Sequence, residues 1–296
     1  NRTLYSENGW DKSLTSHAEL YKNNHLTYNE YLGRADTLIV DSLSGKAIMH
    51  QNIHLYDTVN NVIVEGNYGE VTKNNDYAYV TERAQLILVG KTDSLFVHGD
   101  TLSSSKDSLG NNVVKAYYNT KFFNPDLQGI CDSMIFPVAD STVYLFGTPI
   151  VWASGNQLTG TTIDMHLKNN EVDLFHLNNK AFIVNQLDTA KFNQIKGRNM
   201  TGYIRHNELY LVEVDGNGES IYYPDDKGVI IGLNKTISSA IKIHLKEKRV
   251  NRIVFITKPE GTLNPLIIVD PKDRFLKDFE WHQDKQPRSK EDIFNK

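Results

Sequence analysis

Apolar and polar residues alternate with a period of two along most of this chain. In TTIDMHL (161–167), Ile163, Met165 and Leu167 fall on one side and Thr162, Asp164 and His166 on the other. That is the pattern of a pleated strand, whose successive side chains point to opposite faces. ELYLVEV (208–214) sets Leu209 and Leu211 against Tyr210, Val212 and Val214, so both of its faces are apolar. NNVIVEG (60–66) and AQLILVG (84–90) read as short strands closing on glycine. The connectors NNDY, KNNEV, RHNEL and DGNGES are rich in Asn, Asp and Gly, which accept the positive φ of hairpin turns. No amphipathic helical period stands out before residue 270. The pattern predicts an all-β chain of short antiparallel strands.

Composition agrees. The 296 residues include 15 Tyr, 12 Phe and 19 Gly but only 4 Met, which suits pleated surfaces joined by turns. A net charge of −4 argues against a general nucleic-acid binder, whose affinity rests on many cationic phosphate contacts. No stretch reaches the roughly 20 apolar residues of a membrane-spanning helix. Cys131 is the single cysteine, so no internal disulfide can form, and it reads as a small core hydrophobe. The chain begins at Asn1 rather than Met, which fits a processed chain whose export signal has been removed.

One phrase recurs. Gly33-Arg34-Ala35-Asp36-Thr37-Leu38, Gly90-Lys91-Thr92-Asp93-Ser94-Leu95 and Gly129-Ile130-Cys131-Asp132-Ser133-Met134 share the form G-x-x-D-[ST]-[LM], and Asp100-Thr101-Leu102 and Asp107-Ser108-Leu109 repeat its second half. A second phrase, G-x-x-[LM]-T-G, occurs at 155–160 and 197–202. Several copies make little sense for a catalytic acid. They fit punctuation: the chain turns, Asp bonds nearby amides, and Ser/Thr-Leu opens a strand with its aliphatic group inward. Uneven units of roughly 25–45 residues suggest stacked β units. Residues 1–270 are expected to form this repeat domain. The remaining PKDRFLKDFEWHQDKQPRSKEDIFNK (271–296) reads as a charged tail, either a short helix packed over the last strands or a loosely held arm, anchored by Phe275, Phe279 and Trp281.

At 33–71 an A-D-x-L strand, a polar turn and a G-N step follow one another, and this stretch together with 153–177 and 195–223 resembles the OstA/LptA family of lipopolysaccharide-transport proteins, particularly its long Bacteroidetes-type members. The resemblance implies an elongated β-jellyroll, or β-taco, whose antiparallel strands stack in a V around an apolar groove for acyl chains. It also implies a periplasmic location, bridge partners or further copies joined by edge-strand addition, and no enzymatic activity, catalytic residue or cofactor. The length and the charged tail depart from the short members.

Groove-facing candidates are Val62, Val64, Leu86, Leu88, Ile163, Met165, Leu167, Leu174, Leu209 and Leu211, each of which ordinary core packing also explains. Lys246, Lys248 and Arg249, in the basic run KIHLKEKRVNR (242–252), are candidates for lipid phosphates or for a lysine-protected strand edge. Asp164 with His166, and His50 with His54, lack a third ligand at recognisable spacing, so no metal site is expected. Two alternatives stand beside the lipid carrier. One is a carbohydrate-active or glycan-binding β-solenoid, and the other is a β scaffold without cargo.

Overall fold

A computed structural model describes residues 2–12, 16–73, 76–168, 171–206, 208–247 and 249–295. The turn residues Asn74, Asn75, Asn169, Asn170 and Asn207, and the phosphate candidate Lys248, lie outside these. The described secondary structure is strand with a few 3₁₀ turns, and every strand pairing is antiparallel. The chain is an all-β jellyroll of stacked rungs, which sets aside the parallel β-solenoid. Its contacts divide it into two compact units.

Unit 1 (1–125, 131–140 and 287–296) holds β1 (Arg2–Tyr5), β2 (Asn8–Lys12), β3 (His17–Tyr28), β4 (Tyr31–Asp41), β5 (Lys46–Asp57) and β6 (Val62–Thr72). There follow β7 (Tyr77–Thr81), β8 (Gln85–Leu88), β9 (Leu95–His98), β10 (Thr101–Lys106), β11 (Asn112–Asn124) and the later part of β12 (Leu127–Pro137). Each rung is bent at a corner. β3 pairs with β4 as far as Tyr21↔Thr37 and resumes at Asn24↔Ala35. β5 pairs with β6 as far as His50↔Tyr68 and resumes at Ile53↔Gly66. Two left-handed residues, Lys22-Asn23 or Gln51-Asn52, therefore stand opposite a single residue, Asp36 or Asn67, a bulge that turns the strand. The corner gives the unit two arms. The first runs through β7 and β10, the second through β8 and β9.

At Asp36, Asp100 and Asp132 the recurrent Asp belongs to this corner, whereas Asp93 lies in the connection from β8 to β9. Asp36 Oδ2 accepts from Asn52 Nδ2 at 2.7 Å, and Asp100 Oδ2 from Asn119 Nδ2 at 2.8 Å. The Asp132 carbonyl accepts from Thr120 Oγ1 at 3.3 Å. After two of these corners the aliphatic residue turns inward, since Leu38 and Leu102 are buried. Asp107 is different. It sits in a hairpin, where Oδ1 accepts from the amides of Leu109 and Asn111 at 2.8 Å, and Leu109 is exposed. The phrase is thus used at two kinds of turn. G-x-x-[LM]-T-G is split likewise: Gly155 (φ +75°) turns the hairpin into β15 (Asn156–Thr159), whereas Gly197 ends β19 (Phe192–Gly197) at a corner.

Unit 2 (126–130 and 141–286) follows the same plan. Its first arm contains β13 (Thr142–Phe146), β16 (Thr162–Lys168), β17 (Glu171–Asn178), β20 (Asn199–Arg205) and β25 (Arg249–Ile256). The second contains β14 (Ile150–Ala153), β15, β18 (Ala181–Gln186), β19 and β26 (Glu260–Asn264). β21 (Glu208–Tyr222) and β24 (Leu233–Lys246) run through both arms. DGNGES, read as a hairpin from its composition, is the corner of β21: Gly216-Asn217 faces Ser239 and the strand continues. A short hairpin, β22 (Asp225–Asp226) with β23 (Val229–Ile230), lies between β21 and β24.

Among the described residues, 271–295 form no α-helix and are not a loose arm, but pack on the strands. In unit 2 the segment from Leu266 to Gln286 runs as a strap, with 3₁₀ turns, over the outer face of the second arm. Leu276, Phe279 and Trp281 pack on Phe182, Val184, Phe192 and Ile221. Buried glutamines clamp its main chain: Gln194 Nε2 donates to Arg274 O at 2.9 Å while its Oε1 accepts from Leu276 N at 2.8 Å. Gln157 does the same with Glu280 O (2.9 Å) and His282 N (2.7 Å). In unit 1, Ile293 is buried and the Phe294 ring lies 4.9 Å from that of His98.

Candidate functional site

Register assigns every strand residue to the inner face, between the arms, or to the outer face. On the first arm of unit 2, Leu145, Ile163, Leu177, Met200, Val214 and Ile241 form one continuous inner row beside the corner, each at most 2 % exposed. The next inner row is Met165, Phe175, Gly202, Val212 and Ile243. Across from these, Val151, Leu158, Ile183 and Ile195 line the second arm.

Toward the free ends of the arms the packing opens. A cavity of about 420 Å³ lies between them, walled by Leu209, Val212, Ile243, Leu245 and Val250 from the first arm and by Ile183 and Ile195 from the second. Asn156, Asn185 and Asn193, neighbours in one cross-strand row, add an amide strip. Asn193 Oδ1 accepts from Tyr223 N at 3.0 Å and Asn185 Nδ2 donates to Gly155 O at 3.3 Å, so the strip is fixed by its own bonds. Leu187, Tyr222, Tyr223, Asp225, Gly228, Ile230 and Arg249 complete the wall. Burial, with Asp225 nearby, pushes the Tyr222 phenol above its ordinary pKa. Burial likewise raises Tyr223.

The ten groove candidates divide by face. Val64 and Leu86 share an inner row of unit 1 with Leu55, Val97 and Phe122, and Val62 pairs with Leu88 one inner row further out. Ile163, Met165 and Leu167 share the inner face in unit 2, and Leu209 lines the cavity. Leu174 and Leu211 lie on the outer face instead, in the row His166–Leu174–Tyr203–Leu211–His244. The reason is a bulge near each hairpin. Ile204 pairs with Leu209 but Tyr203 with Leu211, so Tyr210 is the extra residue, and Leu209 changes sides to join Val212 and Val214. A strict period of two misassigns any residue beyond such a bulge. Arg249 is on the cavity wall, and Lys246, its partner in the β24–β25 hairpin, is exposed.

Ile183, Ile195, Val212, Ile243, Leu245 and Val250 were not singled out by the sequence reading. AFIVNQ (181–186) is apolar on both faces and gives no sidedness, because the strap covers its other side.

The outer face of the first arm is polar. Glu213 accepts from Tyr203 Oη at 3.1 Å and pairs with Lys242 at 2.6 Å, and the bond from Lys242 holds its carboxyl below the ordinary range. Asp164 Oδ2 accepts from Asn178 Nδ2 at 2.8 Å, and the His166 ring stands edge-on to His176 at 5.1 Å. Burial, then the charge of His166, lowers the pKa of His176. The corner separates His50, which meets the Tyr68 ring at 5.2 Å, from His54, which pairs with Glu65 at 2.9 Å.

No protein-family description and no curated protein matches the sequence. Among solved structures the chain is similar to LptH, the LptA-homologous periplasmic component of the lipopolysaccharide transport device from Pseudomonas aeruginosa. The TM-score is 0.33 at 14% identity, over 45% of this chain and 94% of that one.

Proposed function

We propose that this chain is a non-enzymatic lipid carrier that holds acyl chains between the arms of its jellyroll. The observation that carries the reading is the cavity of about 420 Å³ in unit 2, aliphatic along the first arm and at Ile183 and Ile195 and polar along the Asn strip, a volume in the range of small-molecule sites. Each methylene withdrawn from water contributes about 0.8 kcal/mol, so a ten-carbon chain gains roughly 8 kcal/mol before the costs of association. Arg249 on the wall and Lys246 in the same hairpin suit a phosphate or carboxylate head group. The finer reading is an exported, periplasmic carrier of lipopolysaccharide that joins other bridge proteins, or further copies, by strand addition. Two rungs support this. β1 and β2 pair only with β3 among the described residues, and β25 and β26 only with β24, leaving edges open to another strand.

Titration of the full chain with a fluorescent fatty acid tests the reading. Saturable binding is expected. Leu245→Trp or Val250→Trp, at half-buried wall positions, should weaken it about tenfold or more by filling the space a guest needs. Leu211→Asp, on the outer face, should leave it unchanged. A folded chain that binds no probe would favour the cargo-free scaffold.

A further inference from the structure

The free ends of the two arms of unit 2 form the lips of the cavity, and their chemistry differs. On the second arm the strand ends are joined by the 187–191 and 223–232 connections, and β26 ends beside them at Asn264, paired with Leu233. Large aliphatic side chains stand out there. Val229 is 68% exposed, Ile231 55%, Leu263 56%, Ile267 94% and Ile268 69%. Leu263 adjoins the 223–232 connection, where a Cβ on Gly232 would lie 3.1 Å from Leu263 Cδ1, and Ile267 and Ile268 follow close after β26 in a turn whose Ile268 amide donates to Pro265 O at 3.1 Å. The hairpin that bears Val229 also supplies Asp225, Gly228 and Ile230 to the cavity wall. The opposite lip is charged. Its hairpins set Lys168, Arg205, Lys246 and Arg249 against Glu171, Glu208 and Glu247.

Single exposed aliphatics need no explanation, but a contiguous group beside an apolar cavity marks an interaction site. Here the side chains sit on three separate elements, the β22–β23 hairpin with Ile231 after it, the edge strand β26 and the 3₁₀ turn that follows it, rather than on one flat face. Another protein would have to match several separate tips at once, whereas a fluid hydrocarbon layer takes each tip as it comes. On the charged lip Lys168 and Arg205 face Glu171 and Glu208, whereas Lys246 and Arg249 face each other, so that hairpin is the part that complements head-group phosphates. We infer that the mouth of unit 2 docks on a lipid surface: Val229, Ile231, Leu263, Ile267 and Ile268 enter the acyl boundary, and Lys246 and Arg249 meet the head groups. A lipid then passes between layer and cavity without crossing open water. The purpose of this docking rests on the carrier reading above, but its test does not.

The full chain is floated with vesicles of equal parts phosphatidylcholine and phosphatidylglycerol, and its self-association is followed by sedimentation without lipid. The chain should float with the vesicles. A variant carrying Val229→Ser, Ile231→Ser, Ile267→Ser and Ile268→Ser should lose about tenfold or more in partitioning. None of these residues lines the cavity, so fatty-acid binding should persist. Failure of the native chain to float, or equal flotation of the variant, overturns the proposal, as does self-association that the same substitutions abolish in a chain that ignores vesicles. Flotation without fatty-acid binding would instead overturn the carrier reading and leave the docking surface standing.

Discussion

Gly202→Val should destabilise the protein by about 4 kcal/mol or more, measured by denaturant unfolding. Gly202 lies in the inner row of the first arm of unit 2, paired with Phe175 on one side and Val212 on the other. The Phe175 ring lies over it: a Cβ there would stand 2.0 Å from Cζ and 2.4 Å from Cε1. Phe175 is 5% exposed, so its ring gives way only by displacing packed neighbours. Moving the ring forfeits much of the 3–5 kcal/mol that a buried phenyl contributes, and overpacking adds roughly 1–3 kcal/mol. Against a typical total of about 5–15 kcal/mol, that leaves the unit marginal. Phe175→Leu in the same chain should recover part of the loss, because the two sites share one volume. Purely additive losses would show that the ring does not depend on the glycine.

Gln194→Ala should cost about 2–4 kcal/mol and release the strap. Gln194 is fully buried, and its amide satisfies Arg274 O and Leu276 N. Its loss leaves two main-chain groups without partners, at about 1–3 kcal/mol each when they stay buried. The strap has no ladder of its own to fall back on. Hydrogen exchange should therefore quicken at Leu276 and its neighbours well before global unfolding, while amides of β16 and β17 keep their protection. Uniform quickening across unit 2 would mean that the strap does not open separately.

The architecture was legible in the sequence because alternation, turn residues and the repeated Asp phrase all follow from main-chain geometry. Asp36 and Asp100 are readable as turn-makers from their neighbours alone. That they sit at corners, receiving bonds from Asn52 and Asn119, depends on the next rung. The sides of Leu174 and Leu211 were not legible, since one extra residue per hairpin reverses the parity and no composition signal marks it. The strap was least legible. Its clamps are side chains of Gln157 and Gln194, 80 or more positions from the main chain they hold. Its anchors, Phe279 and Trp281, look like isolated aromatics in a charged run until Phe192 is brought beneath them.

The central claim is that hydrocarbon occupies the space between the arms of unit 2. A fatty acid with a nitroxide on its chain, added to chain labelled at its Ile, Leu and Val methyls, tests it most directly by paramagnetic broadening. Signals of Ile183, Val212, Ile243 and Leu245 should broaden first and most at one equivalent of ligand, and those of Leu174 and Leu211, on the far side of the sheet, should broaden less. Broadening confined to the outer-face leucines, or none at all in a folded sample, would contradict it.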